Sequence, residues 1–214
     1  RGAFGAAALV ALMGMIGLAP GAQAAASCQA GGPCAIGDVG PGGGIVFIAP
    51  STTGNTTGQF FEAAPNTWAG SAPDGTTQWC NASTTGINGL GTAIGTGTTN
   101  SATIASTCTS TGANNSASYI RGLTIGGLTG WFLPSQDEML ALYDARAFLT
   151  GIYATNQATI DAARYLTSSQ ATPSSGANAI GVYMQGSNNP GTAQQINKQF
   201  SFATRPARMF SAAD

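Results

Sequence analysis

Short apolar runs separated by long stretches of Gly, Thr, Ser and Asn set the pattern of this chain. Ile45-Val46-Phe47-Ile48 follows the turn-forming Gly40-Pro41-Gly42-Gly43-Gly44 and predicts a buried strand. Ser51 to Gln59 is a polar turn, and Phe60-Phe61-Glu62-Ala63-Ala64 returns as a second strand stopped by Pro65. These two runs predict a hairpin. Further strands are predicted at Tyr165–Ser169, Ala179–Met184, Phe200–Ala203 and Ala207–Phe210. The loops Thr172–Gly176 and Ser187–Gly191 punctuate them.

Helical signals are sparse but one is sharp. Ser135 followed by Glu138 spells a capping box, with Pro134 just outside it. Met139, Leu142, Tyr143 and Ala147 recur at three-and-four spacing, so a helix is predicted from Gln136 to about Phe148. Asp137 and Glu138 lie in its first turn, where they suit the helix dipole. Asn100 predicts the cap of a short helix over Ser101–Thr107, and two more short helices are predicted at Ala117–Leu123 and Thr155–Ala163. Thr67 to Asn100, with Trp68 and Trp79 embedded, reads as a long irregular region. Helices segregated from strands make the fold class α+β.

Composition narrows the function classes. Of 214 residues only 7% are charged, the formal net charge is -1, and no histidine is present. That balance offers no broad attraction for nucleic acid or anionic lipid. It also removes the commonest general base and metal ligand. Residues 1–24 resemble a signal peptide: Arg1, an apolar stretch to Leu18, then Ala22-Gln23-Ala24 as a small-x-small cleavage site. The expected organisation is a leader over 1–24, a short cysteine-containing lead-in over 25–35, and one domain over 36–214. An exported chain places Cys28, Cys34, Cys80 and Cys108 in an oxidising compartment, where an even count implies disulfides. Cys28 with Cys34 and Cys80 with Cys108 is one of three possible pairings.

Several motifs in order resemble the Lcl C-terminal-like domain family. They are Ile36-Gly37-Asp38-Val39-Gly40-Pro41-Gly42-Gly43-Gly44-Ile45-Val46-Phe47, Glu62-Ala63-Ala64-Pro65, Gln78-Trp79-Cys80, Gly91-Thr92-Ala93-Ile94-Gly95-Thr96-Gly97 with Asn100, Trp131-Phe132-Leu133-Pro134-Ser135 with Asp137-Glu138, and Arg205-Pro206-Ala207-Arg208 with Phe210. The resemblance spans nearly everything from Ile36 to Phe210. It implies a C-type-lectin-like fold, related to formylglycine-generating enzymes, with helices packed on antiparallel strands and any ligand site on long loops. The family's Tyr-Trp-Ser-Ser-Ser/Thr-Glu is Tyr165-Leu166-Thr167-Ser168-Ser169-Gln170 here, without the Trp and the Glu. All four cysteines precede Thr109, so the late cysteine pair of the formylglycine-generating activity is not carried over.

No catalytic set is legible, and no metal or cofactor is expected. The reading is a secreted or cell-surface, non-enzymatic recognition or adhesion domain. Its ligand would be a glycan or a protein surface, met through the loops Pro173–Asn178 and Ser187–Gln195 and through Trp68–Asn88. The residues named for contact are Tyr183, Gln185, Asn188, Asn189, Gln194 and Trp79. Ser135, Glu138, Arg205 and Arg208 are read as structural, one arginine pairing with Glu138, Asp137 or Glu62. No nucleic-acid partner and no membrane contact after leader cleavage are expected; a homo-oligomer is compatible. The alternative is a structural subunit of an extracellular assembly. An enzyme would need Asp38, Glu62, Asp74 and Asp144 in one cleft.

Overall fold

A computed structural model describes Cys28 and residues 33–70, 74–80, 86–149, 164–171, 176–184 and 189–211. The leader, most of the lead-in, the Thr155–Ala163 helix and the tips of several loops lie outside the described residues.

The predicted hairpin is present. Strand β1 (Ile45–Ile48) pairs antiparallel with β2 (Phe60–Ala63), with a register shift between Val46 and Ile48. The last strand, β8 (Ala207–Phe210), lies on the far side of β2, so the chain's end closes a three-stranded sheet of order β1-β2-β8. Its other edge is touched by the segment leading into the capped helix: the Phe132 N–H donates to the Ala207 carbonyl at 2.9 Å and the Ala207 N–H returns the bond at 3.0 Å.

A second sheet has the order β3-β7-β4-β5-β6. It is built from β3 (Thr76–Gln78), β4 (Arg164–Gln170), β5 (Asn178–Tyr183), β6 (Ala193–Asn197) and β7 (Ser201–Ala203). All its pairings are antiparallel except β4 with β7. Both faces of this sheet are covered. Tyr165 and Val182 face a core with Phe47, Phe61, Phe132, Met139 and Leu142. Leu166, Ala179 and Ile196 face the other way, into a core with Trp79, Ile104, Ile120, Trp131 and Leu133. Alternating directions along a strand produce this split, and each large side chain so buried stabilises by roughly 1.5–3 kcal/mol.

Among the described residues three α-helices pack on this frame: α1 (Gly97–Thr107), α2 (Ser116–Arg121) and α3 (Gln136–Asp144), the last continuing as a 3-10 segment over Ala145–Leu149. Helix α3 carries the capping box that its sequence spells, and it packs on β1, β4 and β5. It turns Met139 and Leu142 inward, while Ala147 of the predicted stripe is exposed.

Three sequence expectations are corrected. Helix α1 begins at Gly97, a turn before the predicted Asn100 cap, and Asn100 sits inside it. The Asn100 side chain is occupied elsewhere: it exchanges hydrogen bonds with the Gly91 N–H and carbonyl at 2.9 and 2.7 Å. The stretch read as the end of the loop Ser187–Gln195 is instead the start of β6, a strand with one aliphatic anchor, Ile196, and exposed Gln194 and Gln195. Strand β3 also arises inside the region read as irregular. Cys28 is bonded to Cys34 and Cys80 to Cys108, and among the described residues no cysteine is free. No described helix is long and apolar enough to cross a membrane.

Candidate binding groove

Among the described residues three carboxylate side chains are buried, and each is engaged. Glu138 is 0% exposed and serves two helix starts at once. Its carboxylate accepts the Ser135 N–H at 2.7 Å, closing the capping box of α3. It also accepts the Gly95 N–H at 2.8 Å and the Gly97 N–H at 3.2 Å, at the start of α1. Thr96, the residue before α1, makes no side-chain cap bond, so Glu138 caps that helix from a distance. A Cβ at Gly97 would collide with this carboxylate. Burial pushes the Glu138 carboxyl above its ordinary value, against the pull of these N–H donors. Ser135 also donates its hydroxyl to the Ala93 carbonyl at 2.9 Å, tying α3 to the loop before α1.

Glu62 accepts the Gly42 N–H at 2.9 Å and the Arg208 guanidinium at 3.1 Å. A Cβ at Gly40 would approach it to 2.5 Å, so the glycine-rich turn is written to wrap a buried acid. Burial raises the Glu62 carboxyl while Arg208 and the turn N–H groups oppose the rise. Asp74 binds Arg205 at 2.7 Å, the Tyr165 hydroxyl at 2.6 Å and the Trp68 indole N–H at 3.0 Å. Arg205 donates in addition to the Ala64 carbonyl at 2.6 Å. The two arginines do take different partners, one of which, Asp74, lay outside the set weighed from sequence. Its signal was indirect: a buried arginine needs one of only eight acidic residues.

The residues named for ligand contact do not form one surface. Trp79 is fully buried, donates its indole N–H to the Thr167 carbonyl at 2.8 Å, and carries the Lys198 ammonium 4.1 Å from its ring centroid. It belongs to the core and has no surface to offer a ligand. Tyr183 is half-buried under the Arg164 guanidinium, 4.9 Å from its ring. Asn189 and Gln194 are exposed on either side of the β5–β6 turn, with the Thr192 hydroxyl between them: it donates to the Asn189 carbonyl at 2.6 Å and accepts from Gln194 at 3.3 Å. Gln185 and Asn188 lie outside the described residues, as do the tips of the loops Pro173–Asn178 and Trp68–Asn88. Asp38, Glu62, Asp74 and Asp144 are held in separate settings; among the described residues no three acidic or cysteine side chains gather as a metal or acid-base cluster.

One groove among the described residues was not legible in the sequence. It has a volume of about 500 Å³ and is lined by Thr52, Thr53 and Gly54 of the β1–β2 turn, Ala93 and Ile94 of the loop before α1, and one face of α3. Asp137, Leu140, Ala141 and Asp144 recur at three-and-four spacing, so they make a single outward stripe on α3. Seven residues at 1.5 Å per residue put the two carboxylates about 10 Å apart along the axis. Between them the floor is aliphatic. Asp144 is exposed and has no hydrogen-bond or ion-pair partner among the described residues. Among the described residues no cation and no aromatic ring lines the groove.

No protein-family model matches this sequence, and no curated protein matches it.

Proposed function

We propose that this chain is a non-enzymatic recognition domain, secreted or displayed at a cell surface, that binds a protein ligand by taking one of its basic side chains into the α3 groove. One observation carries the reading: while Glu62, Asp74 and Glu138 are occupied by several structural bonds each, Asp137, which accepts only the neighbouring Gln136 amide at 3.3 Å, and Asp144 stand at the two ends of an aliphatic floor. A lysine or arginine fits such a surface, laying its alkyl stem on Leu140, Ala141 and Ile94 and its charge against a carboxylate. A glycan fits it less well, because sugar rings stack on aromatic faces and none is among the described lining residues. Two disulfides suit an oxidising compartment. The resemblance to the Lcl C-terminal-like family supports a C-type-lectin-like scaffold for this role. Phage-displayed random peptides selected on the full chain test the reading. Enrichment of Lys- or Arg-containing peptides, lost on the D137N/D144N variant, is expected. Selection without a basic preference, or binders indifferent to that variant, would overturn it. The second reading, a subunit of a surface assembly, draws on the uncharged outer strand β6.

A further inference from the structure

The five-stranded sheet ends in two unlike edges. Strand β3 is only three residues long, a short edge of the kind that resists further pairing. Strand β6 is five residues long and pairs with β5 through five consecutive partners without a register shift, whereas the β1–β2 and β4–β5 pairings each contain one. Edges are normally guarded by charge, proline or a bulge. Ala193-Gln194-Gln195-Ile196-Asn197 has none of these.

The bonding phase of this strand follows from its two ends. Tyr183 donates to the Thr192 carbonyl at 3.2 Å, and Lys198 donates to the Ala177 carbonyl at 2.9 Å. Antiparallel partners alternate between bonded and non-bonded pairs, so Gln194 and Ile196 also turn their backbone groups toward β5. Ala193, Gln195 and Asn197 therefore present theirs outward, and no described strand receives them. The Asn197 carbonyl takes one bond, from the Phe200 N–H at 3.2 Å. Phe200, in the turn that follows, is 63% exposed, the most open large apolar side chain among the described residues. The charge nearest in sequence, on Lys198, is fully buried and pointed into the core against Trp79.

We propose that the outer edge of β6 is an interface for a second copy of this chain, the two β6 strands pairing antiparallel about a two-fold axis centred on Gln195. A two-fold edge contact sets the central residue against its own copy, so a charge there would face its like, and β6 carries no charge at any of its five positions. In this register Gln195 opposes Gln195 of the other copy and Ala193 opposes Asn197. Up to about six backbone hydrogen bonds form, with the exposed Phe200 turn of each copy beside the end of the paired strands. Because the contact is isologous it closes on itself, giving a discrete dimer with a continuous sheet and not an open polymer.

Sedimentation velocity on the full chain from about 1 μM to 1 mM, the window of weak complexes, tests this together with amide exchange. A monomer–dimer equilibrium is expected, with exchange at Ala193 and Gln195 slowed about tenfold at the high concentration and exchange at Gln194 and Ile196 unchanged. Q195P removes an outward N–H and, like Q195K, the bond that the Asn178 amide donates to the Gln195 side chain at 3.1 Å; Q195K also places like charges face to face. Each should weaken the dimer at least tenfold, while A102K on the exposed face of α1 should not. A chain that stays monomeric throughout overturns the proposal. So does a dimer that leaves Gln195 exchange unchanged, or one that survives both Gln195 variants. Fluorescence spectra matching the parent establish that the variants are folded.

Discussion

Lys198 gives the sharpest stability prediction in the molecule. Its side chain is buried against the Trp79 ring, with the ammonium 2.7 Å from the Gln170 amide oxygen. Gln170 also accepts the Ile87 N–H at 3.0 Å, so its oxygen is fixed in place. Burial pushes the ammonium down from 10.5 to about 8. The folded state thus gives up its proton first, and between these values the unfolded chain binds more protons. Stability must therefore rise as pH increases through that window. The full shift corresponds to at most about 3 kcal/mol, and the part released between pH 7 and 9.5 is up to about 2 kcal/mol. Urea unfolding of the parent and of K198M across this range isolates the effect, since the variant keeps every other titration. The parent should gain on K198M by about 1–2 kcal/mol. Q170E should act in the opposite sense, giving the ammonium a counter-charge, stabilising the fold at pH 7 by roughly 1–2 kcal/mol and flattening the pH dependence. A parent whose margin over K198M is flat or shrinks with rising pH, or a destabilised Q170E, would refute the reasoning.

Other perturbations follow from the same structure. D74A leaves Arg205 buried without its carboxylate and should cost about 3–5 kcal/mol in urea unfolding, with Trp68 fluorescence reporting the loss of its indole bond; a cost below 1 kcal/mol would mean the pair is not buried as described. S135A removes the α3 cap and the bond to Ala93 and should cost about 1–2 kcal/mol by thermal melting. The double variant C80A/C108A opens a bridge across a separation of 28 residues and should cost about 3 kcal/mol, read by urea unfolding under non-reducing conditions.

What the sequence disclosed was what local chemistry decides. The β1–β2 hairpin is fixed by a β-branched run, a glycine turn and a proline stop, and α3 by a serine three residues before a glutamate. Failure came where a residue's partner lies outside its own element. Asn100 has the right chemistry for a cap, yet Gly91 claims its amide, and the start of α1 is set by Glu138 from 41 residues away. Strand β6 holds too few apolar residues to announce itself, and its existence depends on β5. The groove joins a hairpin turn, a loop and a helix face, and only the last has a period to read.

The distribution of the described acids explains why Asp137 and Asp144 are the ones left facing the groove. Glu62 and Asp74 bind arginines 146 and 131 residues away, and so fasten the final strand to the first half of the chain. Closing such long loops carries an entropic cost that grows only slowly with length, so a few well-satisfied buried pairs at the closure points oppose it effectively. Glu138 does the same for two helix starts. In each case the acid's position is dictated by the groups it must satisfy. Asp137 has a lesser structural duty as a first-turn acid on α3, and Asp144, at the helix's last residue, sits where the dipole disfavours a carboxylate. An acid at that end works against the helix by a few tenths of a kcal/mol. We propose that its place beside an aliphatic floor serves a cationic ligand; nothing in the packing of the described residues calls for an acid there.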